Sequence, residues 1–272
     1  MKITDIKELE KIAKQARRDI VEQVYGASSG HPGSSLSCTD ILTALYFNEM
    51  NIDPENPEME DRDRLVLSKG HSAPALYSIL AQGGFFGKEE LKTFRKLGSI
   101  LQGHPDLNKV PGVDMSSGSL GQGLSSACGM ALASKMKKQK NKVYCILGDG
   151  ELQEGQVWEA AMTAGHYKLD NLCVIVDNNN LQIDGEVKDV MSTYPIDKKF
   201  ESFGFAVFKA DGHNFENLLE VFDMAKLIKK QPVAIIASTV KGKGISFMEN
   251  KAEWHGKAPN EEQYNQAMSE LV

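Results

Sequence analysis

Short apolar runs and longer amphipathic segments alternate along most of the chain. Residues 143–147, 172–176 and 233–237 are short runs of β-branched and aliphatic residues bounded by turn-forming residues, and each run predicts a buried strand. Residues 64–68 and 205–208 have the same character and predict two further strands. Strands this short and this apolar are typical of a sheet that is covered on both faces.

Between these runs, apolar side chains recur every three or four residues, which predicts amphipathic helices. Ser37 and Asp40 have the spacing of a capping box, so we expect a helix to begin there and to continue to Met50. The predicted helices span residues 5–25, 37–50, 73–82, 88–97, 121–138, 151–168, 197–203 and 215–229, followed by an amphipathic stretch over 261–272.

The alternation of strands and helices predicts the α/β class. We expect a doubly wound, mostly parallel sheet with helices on both faces, because such connections are short and right-handed. No shift in composition suggests a domain boundary, so residues 1–272 are expected to form one domain.

Composition and charge exclude several classes of function. The formal net charge is −6, which argues against a general nucleic-acid binder. No apolar run approaches the ~18 residues that a membrane span needs, and the charged N-terminal residues have no signal-peptide core. The four cysteines, Cys38, Cys128, Cys145 and Cys173, show no CxxC spacing and are expected to be buried, reduced thiols of a cytoplasmic protein.

Two polar clusters close neighbouring predicted strands. Gly148-Asp149-Gly150 follows the first strand, Asp177-Asn178-Asn179 follows the next, and the segment between them is predicted to be a crossover helix. Parallel strands bind ligands at their carboxyl ends, and an acid oxygen beside an amide oxygen suits Mg²⁺ or Ca²⁺ held jointly with phosphates. The glycines lack a Cβ and let a diphosphate approach the backbone. The residues that follow Gly148-Asp149-Gly150 do not match the sequence patterns of a dinucleotide-binding fingerprint or of a P-loop, so these two phosphate-binding motifs are excluded.

Four of the six histidines lie in glycine-rich contexts, namely His31, His71, His104 and His255. His104 belongs to a predicted loop over residues 98–120, and loops of that length are usually functional. Imidazoles exchange protons near neutral pH and suit work on carbonyl and hydroxyl oxygens. The other two, His166 and His213, have no such setting and are interpreted as surface or turn residues.

Taken together, these motifs resemble those of transketolase. The GDG and NN clusters resemble the thiamine diphosphate motif, and the remaining matches occur in the order expected for that family. The matching segments, which lie within residues 26–256, are Gly30-His31-Pro32-Gly33, Ser68-Lys69-Gly70-His71, Gly103-His104-Pro105, Ser117-Gly118-Ser119-Leu120-Gly121-Gln122-Gly123 and Lys241-Gly242-Lys243-Gly244-Ile245.

The resemblance implies a cofactor, thiamine diphosphate with Mg²⁺ or Ca²⁺, and a set of site residues. Asp149, Asn179 and the carbonyl of Leu181 would bind the metal. Leu120 and Ile183 would pack against the thiazolium ring. The residues implied to bind the cofactor are His71, Gly118, Ser119, Leu120, Asp149, Gly150, Glu154, Asn179, Ile183, Lys241 and His255.

The resemblance also implies a reaction, the reversible transfer of a two-carbon ketol group from a ketose phosphate such as xylulose 5-phosphate to an aldose phosphate such as ribose 5-phosphate. His31, His71, His104 and His255 would surround the reacting carbon. His104 and His255 are the candidates for proton transfer, and His31 is expected to orient hydroxyl groups. Glu154 and Glu159 match positions of an acidic network that links paired active sites.

Transketolases are longer than this chain, and their second domain supplies the glutamate that activates the cofactor. We find no candidate for that glutamate here. The resemblance therefore implies the N-terminal subunit of a split transketolase, inactive alone and active with a separate C-terminal subunit, in two copies of each chain. Sugar phosphates are the expected substrates, and no nucleic acid or membrane partner is expected.

Three alternatives stay open. One is a component of another thiamine diphosphate enzyme, either the α-type subunit of a 2-oxo acid dehydrogenase or a deoxyxylulose-phosphate synthase. The SKGH motif and the two GHP motifs argue against these enzymes. The second alternative is a transketolase-like enzyme for an unusual ketose, such as a sulfonated or branched sugar. The third is a non-catalytic protein that binds a sugar phosphate or the cofactor, for which the full set of histidines would be unnecessary.

Overall fold

A five-stranded parallel sheet forms the centre of the molecule. The computed structural model describes residues 2–272, and Met1 lies outside the described residues. The strands are β1 (Arg64–Leu67), β2 (Val143–Gly148), β3 (Leu172–Asn178), β6 (Ala206–Asp211) and β7 (Val233–Ser238), with a separate antiparallel pair, β4 (Leu181–Gln182) and β5 (Gly185–Glu186). The order in the sheet is β1-β2-β3-β7-β6, and every neighbouring pair is parallel. The predicted α/β fold class is confirmed.

Helices cover both faces of this sheet. They are α1 (Ile6–Gly26), α2 (Pro32–Ser37), α3 (Thr39–Ala44), α4 (Ala73–Gln82), α5 (Gln122–Met136), α6 (Gly155–His166), α7 (Val187–Val190), α8 (Ile196–Ser202), α9 (Phe215–Leu227) and α10 (Glu261–Glu270). Alternate residues of the central strands point into two separate apolar clusters. Ile146 and Ile175 belong to the cluster beneath α1, α3 and α4, and Leu147 and Val176 to the cluster beneath α5 and α6. Burial on both faces explains why these strands are continuous apolar runs.

The register of the sheet places the polar clusters side by side. Gly148 pairs with Asp177 at the end of β2 and β3, and Asn178 pairs with Ser238 at the end of β7. The two loops that follow therefore leave the same edge of the sheet. Since β1 also ends at this edge, the Ser68-Lys69-Gly70-His71 segment joins them.

Three predicted helices were wrong in detail. The helix expected over 37–50 instead follows a separate helix, α2, that ends at Ser37; α3 begins at Thr39, and a π-helical segment over Leu45–Glu49 continues it. The Ser37 hydroxyl donates to Asp177 and does not cap a helix. The segment expected to be helical over 88–97 is a 3₁₀ helix that ends at Thr93. The crossover segment breaks at Glu154, so a short 3₁₀ turn over Gly150–Gln153 precedes α6.

Within residues 2–272, no helix is both long enough and apolar enough to cross a membrane. The segment between residues 98 and 120 is a loop, as predicted, and it runs along the edge of the sheet that carries the polar clusters.

Candidate active site

A cavity of about 330 Å³ opens at the carboxyl edge of the sheet, which lies within the range of ligand-binding pockets. It gathers residues from the segments that follow β1, β2, β3 and β7 and from the chain around the starts of α2 and α5. The predicted site residues that line it are His31, His71, Gly118, Leu120, Asp149, Gly150, Glu154, Asn179, Leu181, Ile183, Lys241 and His255. Segments far apart in the sequence thus meet at one place.

The predicted metal ligands lie together on the floor of this cavity. Asp149 is 2% exposed, and its carboxylate accepts hydrogen bonds from the backbone N–H groups of Gly150 and Asn180. Burial, and then the nearby Asp177 carboxylate, raise the pKa of Asp149 to about 7, so a cation beside it would stabilise the ionised form. Among residues 2–272, no three His, Cys, Asp or Glu side chains converge on a common point. A metal here would need amide, carbonyl and ligand oxygens as well.

Asn179 is held in place by a buried ion pair. Lys69 Nζ lies 2.6 Å from the Asp177 carboxylate, and their side chains are 2% and 0% exposed. Burial alone would raise the pKa of Asp177, but the ammonium of Lys69 and the hydroxyls of Ser37 and Thr239 lower it. Asn179 donates its amide towards the Ser37 hydroxyl, which leaves its carbonyl oxygen directed away from this network. The Lys69–Asp177 pair was not predicted.

Glu151 connects the three glycine-rich segments, and it too was not predicted. Its carboxylate accepts from the Ser68 hydroxyl, from the N–H of Gly121 at 2.9 Å and from the N–H of Gly148 at 3.0 Å. Burial raises the pKa of Glu151, whereas these donors favour its ionised form. An acidic residue directly after the Gly148-Asp149-Gly150 motif is the sequence signal that could have identified it.

Three of the predicted histidines form a cluster at the wall of the cavity. The ring centroids are 5.1 Å apart for His31 and His71, 5.1 Å for His71 and His255, and 5.4 Å for His31 and His255. Burial, then the positive charge of Arg95, lowers the pKa of His31 to about 4. Burial, then Lys241, lowers the pKa of His255 to about 3, and burial keeps the pKa of His71 well below its usual value. All three imidazoles are therefore neutral near pH 7.

Lys241 fixes the orientation of His255. Its Nζ donates to the carbonyl of Leu181 at 3.2 Å and lies 3.0 Å from His255 Nδ1. Burial, then the charge of Lys69, lowers the pKa of Lys241 to about 8, so the ammonium form persists at neutral pH and donates to that nitrogen. The proton of the neutral imidazole then lies on Nε2, which is free to donate to a ligand. Gly33 permits this arrangement, because a Cβ there would lie 3.1 Å from the Lys241 chain and 2.8 Å from the Trp254 carbonyl.

Four predicted or considered residues lie outside the cavity wall. His104 is exposed and lies beside Gly118, where a Cβ would be 3.0 Å from its ring, and Ser119 is exposed as well. Glu159 is exposed on α6, and Lys243 lies beside Glu249 at 3.8 Å.

His213, interpreted above as a surface or turn residue, is instead only partly exposed and makes two hydrogen bonds across the fold. Its Nε2 accepts from the N–H of Val240 at 2.8 Å, and its Nδ1 donates to the Asp40 carboxylate at 2.7 Å. It therefore supports the segment that carries Lys241. The hydrogen-bond partners of His213 come from α3 and from the end of β7, which explains why local sequence did not reveal them.

The residues present fit thiamine diphosphate and a divalent ion. Gly148 and Gly150 expose backbone at the cavity floor, and a Cβ on Gly150 would lie 3.2 Å from Gln182. His31 Nδ1 is buried without a partner, as expected of a group that awaits a ligand. One carboxylate with amide and carbonyl oxygens matches an ion that shares its coordination with phosphates.

Comparison with known proteins agrees with this geometry. Residues 9–271 match the family described as transketolase, thiamine diphosphate binding domain. The chain is 44% identical to an apulose-4-phosphate transketolase subunit of Phocaeicola vulgatus, and the match covers 98% of this chain and 94% of that protein. It is also 44% identical to the 6-deoxy-6-sulfo-D-fructose transketolase subunit of a Clostridium species, covering 97% and 96% of the two chains.

Longer relatives match over part of their length. Human transketolase is 44% identical, and the match covers 97% of this chain and 42% of the human protein. The crystal structure of transketolase from Campylobacter jejuni superposes with a TM-score of 0.93 at 37% identity, over 98% of this chain and 43% of that one. The predicted cofactor, thiamine diphosphate with a divalent ion, is confirmed at the level of the family. The chain belongs to the transketolase family and comprises its thiamine diphosphate-binding domain.

Proposed function

We propose that this chain is the N-terminal subunit of a two-chain transketolase that moves a two-carbon ketol group between sugar phosphates. Xylulose 5-phosphate is the proposed donor, and ribose 5-phosphate is the proposed acceptor. The observation that carries the proposal is the cluster of three neutral imidazoles, 5.1 to 5.4 Å apart, beside the GDG and NN edge. Residues 1–272 would act as one domain, in the cytoplasm, where its four free, buried thiols would remain reduced.

Each imidazole has a role that follows from its setting. Thiamine diphosphate, when bound, supplies the carbon nucleophile and carries the ketol fragment. His255, with its proton on Nε2, would donate to a developing alkoxide and later accept that proton back. His31 has a buried, unpartnered Nδ1 and would orient a hydroxyl group, and His71 would line the cofactor side. His104, exposed beside Gly118, would be the second candidate for proton transfer.

The metal and cofactor contacts follow the same logic. Asp149, the amide oxygen of Asn179 and the Leu181 carbonyl would hold the ion, and Lys241 would add positive charge beside the diphosphate. Gly118, Ser119, Leu120, Gly150 and Glu154 would complete the cofactor site.

A second chain is proposed because the site is open on one side. Ile183, expected to pack against the thiazolium, lines the cavity yet is 65% exposed. Two relatives that match over nearly their whole length are named as transketolase subunits, and the longer transketolases contain more than twice as much chain. We propose a C-terminal subunit that covers Ile183 and supplies the activating glutamate, with two copies of each chain, linked through Glu154 and Glu159.

A second candidate substrate class has its own support. Two relatives at 44% identity carry the names of an apulose 4-phosphate and a 6-deoxy-6-sulfo-D-fructose transketolase. A branched or sulfonated ketose is therefore an alternative donor for this chain.

The test measures ketol transfer by the isolated chain and by the tagged complex recovered from its own cells. Thiamine diphosphate and Mg²⁺ are present throughout, and the donors are xylulose 5-phosphate, fructose 6-phosphate, apulose 4-phosphate and 6-deoxy-6-sulfo-D-fructose. Activity in the complex alone with xylulose 5-phosphate supports the proposal. Preference for one of the last two donors would replace the proposed substrate, and substantial activity of the isolated chain would refute the two-chain assembly.

A further inference from the structure

Tyr194 contacts both sides of the turn that carries Asn179, one of the residues expected to bind the metal. Its hydroxyl lies 2.9 Å from the side-chain amide oxygen of Asn178 and also contacts the side-chain amide of Asn180. A hydroxyl carries one proton and two lone pairs, so it donates to one of these amides and accepts from the NH₂ group of the other. One phenol therefore ties together the residues before and after Asn179.

The ring of Tyr194 is held by the body of the domain. It packs against the apolar cluster beneath α5 and α6, and the preceding residue, Thr193, is buried. Lys199 Nζ donates to the Thr193 carbonyl at 2.7 Å, and Gln153 Nε2 donates to the Met191 carbonyl at 2.7 Å. The phenol thus belongs to a fixed segment and restricts the movement of the turn that it contacts.

Asn180 connects this turn to the carboxylate of Asp149. It has a φ of 64°, in the left-handed region, where asparagine is enriched over other non-glycine residues. In this conformation its N–H donates to one carboxylate oxygen of Asp149, while the N–H of Gly150 donates to the other. The next residue, Leu181, directs its carbonyl at Lys241 Nζ, 3.2 Å away. The turn therefore fixes the positions of all three groups that are expected to bind the ion.

The side chains of Asn178 and Asn180 depend on this phenol. Within residues 2–272, no other group forms a hydrogen bond with either side-chain amide. The backbone of Asn180 is held separately, because its carbonyl accepts from the N–H of Val187 at 2.9 Å. Loss of the phenol should therefore loosen the turn without unfolding it.

We propose that Tyr194 is a positioning residue for the divalent ion, and that its phenol holds the turn over residues 178–180 in the conformation that binds the metal. The inference rests on the proposed function, since it assigns a supporting residue to the proposed metal site. Residues that orient metal ligands through hydrogen bonds change metal affinity by about 10- to 100-fold. Tyr194 acts one step further away, through Asn180, and one neutral hydrogen bond is worth about 2- to 10-fold.

The experiment measures the Mg²⁺ concentration that half-saturates the binding of thiamine diphosphate. Equilibrium dialysis at a fixed cofactor concentration is applied to the two-chain complex after removal of its metal and cofactor. We expect Tyr194→Phe, which keeps the ring, to raise this concentration by about 3- to 10-fold. At saturating Mg²⁺ and cofactor, kcat for ketol transfer should change less than about 2-fold, because Tyr194 touches no reacting group.

A second variant tests the route through Asn180. Asn180→Gly removes the amide but keeps the left-handed conformation accessible, so it should raise the half-saturating Mg²⁺ concentration by a similar factor. Because both substitutions break the same contact, the double variant should lose less affinity than the product of the two single losses. Full multiplication of the losses would show that Tyr194 does not act through Asn180, and would overturn the inference.

Tyr167→Phe is the matched control, since it removes the hydroxyl of a tyrosine that is 53% exposed at the end of α6. It should leave the Mg²⁺ requirement unaffected, and circular dichroism verifies that each variant is folded during the titration. An unchanged Mg²⁺ requirement in Tyr194→Phe would overturn the inference, as would a loss of kcat that saturating Mg²⁺ does not restore.

The binding measurement separates this inference from the proposed reaction. If the unmodified complex binds thiamine diphosphate with Mg²⁺ but transfers no ketol group from any sugar, the proposed function fails, and dialysis of the variants still decides the role of Tyr194. If the unmodified complex binds no thiamine diphosphate, both proposals fail.

Discussion

Replacement of Lys69 by methionine tests how the cofactor edge is held together. The substitution removes the 2.6 Å contact with Asp177 and the 2.7 Å hydrogen bond to the Ser34 carbonyl, and it leaves a carboxylate that is 0% exposed. The hydroxyls of Ser37 and Thr239 remain as donors. Removing one partner of a buried pair costs about 3–5 kcal/mol, because the other charge is left without compensation.

The chain offers a matched control on its surface. Lys135 and Asp170 are also 2.6 Å apart, but their side chains are 36% and 26% exposed. Water solvates both charges after Lys135→Met, so that substitution should cost only about 0–1 kcal/mol. Since about 1.4 kcal/mol is tenfold in an equilibrium constant, a difference of about 2–5 kcal/mol means that the two variants should differ by at least about 30-fold in the ratio of unfolded to folded protein.

Urea unfolding followed by fluorescence and circular dichroism measures this difference. The double variant with Lys69→Met and Asp177→Asn should recover part of the loss, because it no longer buries an unpaired charge. If Lys69→Met destabilises the chain no more than Lys135→Met does, then the hydroxyl donors alone stabilise Asp177. The reasoning from the buried ion pair would then be refuted.

Three further predictions concern the cavity. Asp149→Ala should abolish Mg²⁺-dependent binding of thiamine diphosphate in calorimetry, whereas His255→Ala should bind it and slow transfer by roughly 10²–10⁴-fold; equal loss of affinity would contradict these roles. Gly118→Ala should destabilise the chain by about 1–3 kcal/mol, because φ is 153° and a Cβ would meet an imidazole at 3.0 Å. Gly129→Ala is the control: Gly129 lies in a helix with nothing within 4 Å of a Cβ, so this substitution should stabilise the chain by about 0.5–1 kcal/mol. Similar urea midpoints for Gly118→Ala and Gly129→Ala would show that Gly118 is not under backbone strain. With the pKa of His31 at about 4 and of His255 at about 3, these two imidazoles bind more protons in the unfolded than in the folded chain below about pH 6.5, whereas Asp149, with its pKa raised to about 7, acts in the opposite direction. The part of the stability that His255 contributes should fall as the pH falls from that value towards about 4, so His255→Asn should make the pH dependence of unfolding less steep over this range.

The sequence could predict what depends on local pattern. Residues 143–147, 172–176 and 233–237 were identified as strands because burial on both faces makes each of them uniformly apolar. Parallel strands then had to bring Asp149 and Asn179 to one edge, which the register confirms.

The remaining features depend on contacts between distant residues. Ser37 has a capping-box spacing, yet its hydroxyl donates to the Asp177 carboxylate, 140 residues away. The local sequence cannot show that this carboxylate competes with a helix N-terminus for the Ser37 hydroxyl. The same holds for Lys69, whose partner lies 108 residues away, and for His213, whose partner Asp40 lies 173 residues away. The fold could be predicted because periodicity is local, whereas the supporting network of the site could not.

The Glu151 carboxylate has a consequence for how this site can change over generations. It is shared by Ser68, Gly121 and Gly148, which belong to three separate motifs of the sequence. A substitution in one motif shifts the carboxylate on which the other two depend, so the effects of paired substitutions should not add. Substitutions in these three motifs are therefore coupled during evolution. New sugar specificities would arise first in segments that Glu151 does not contact.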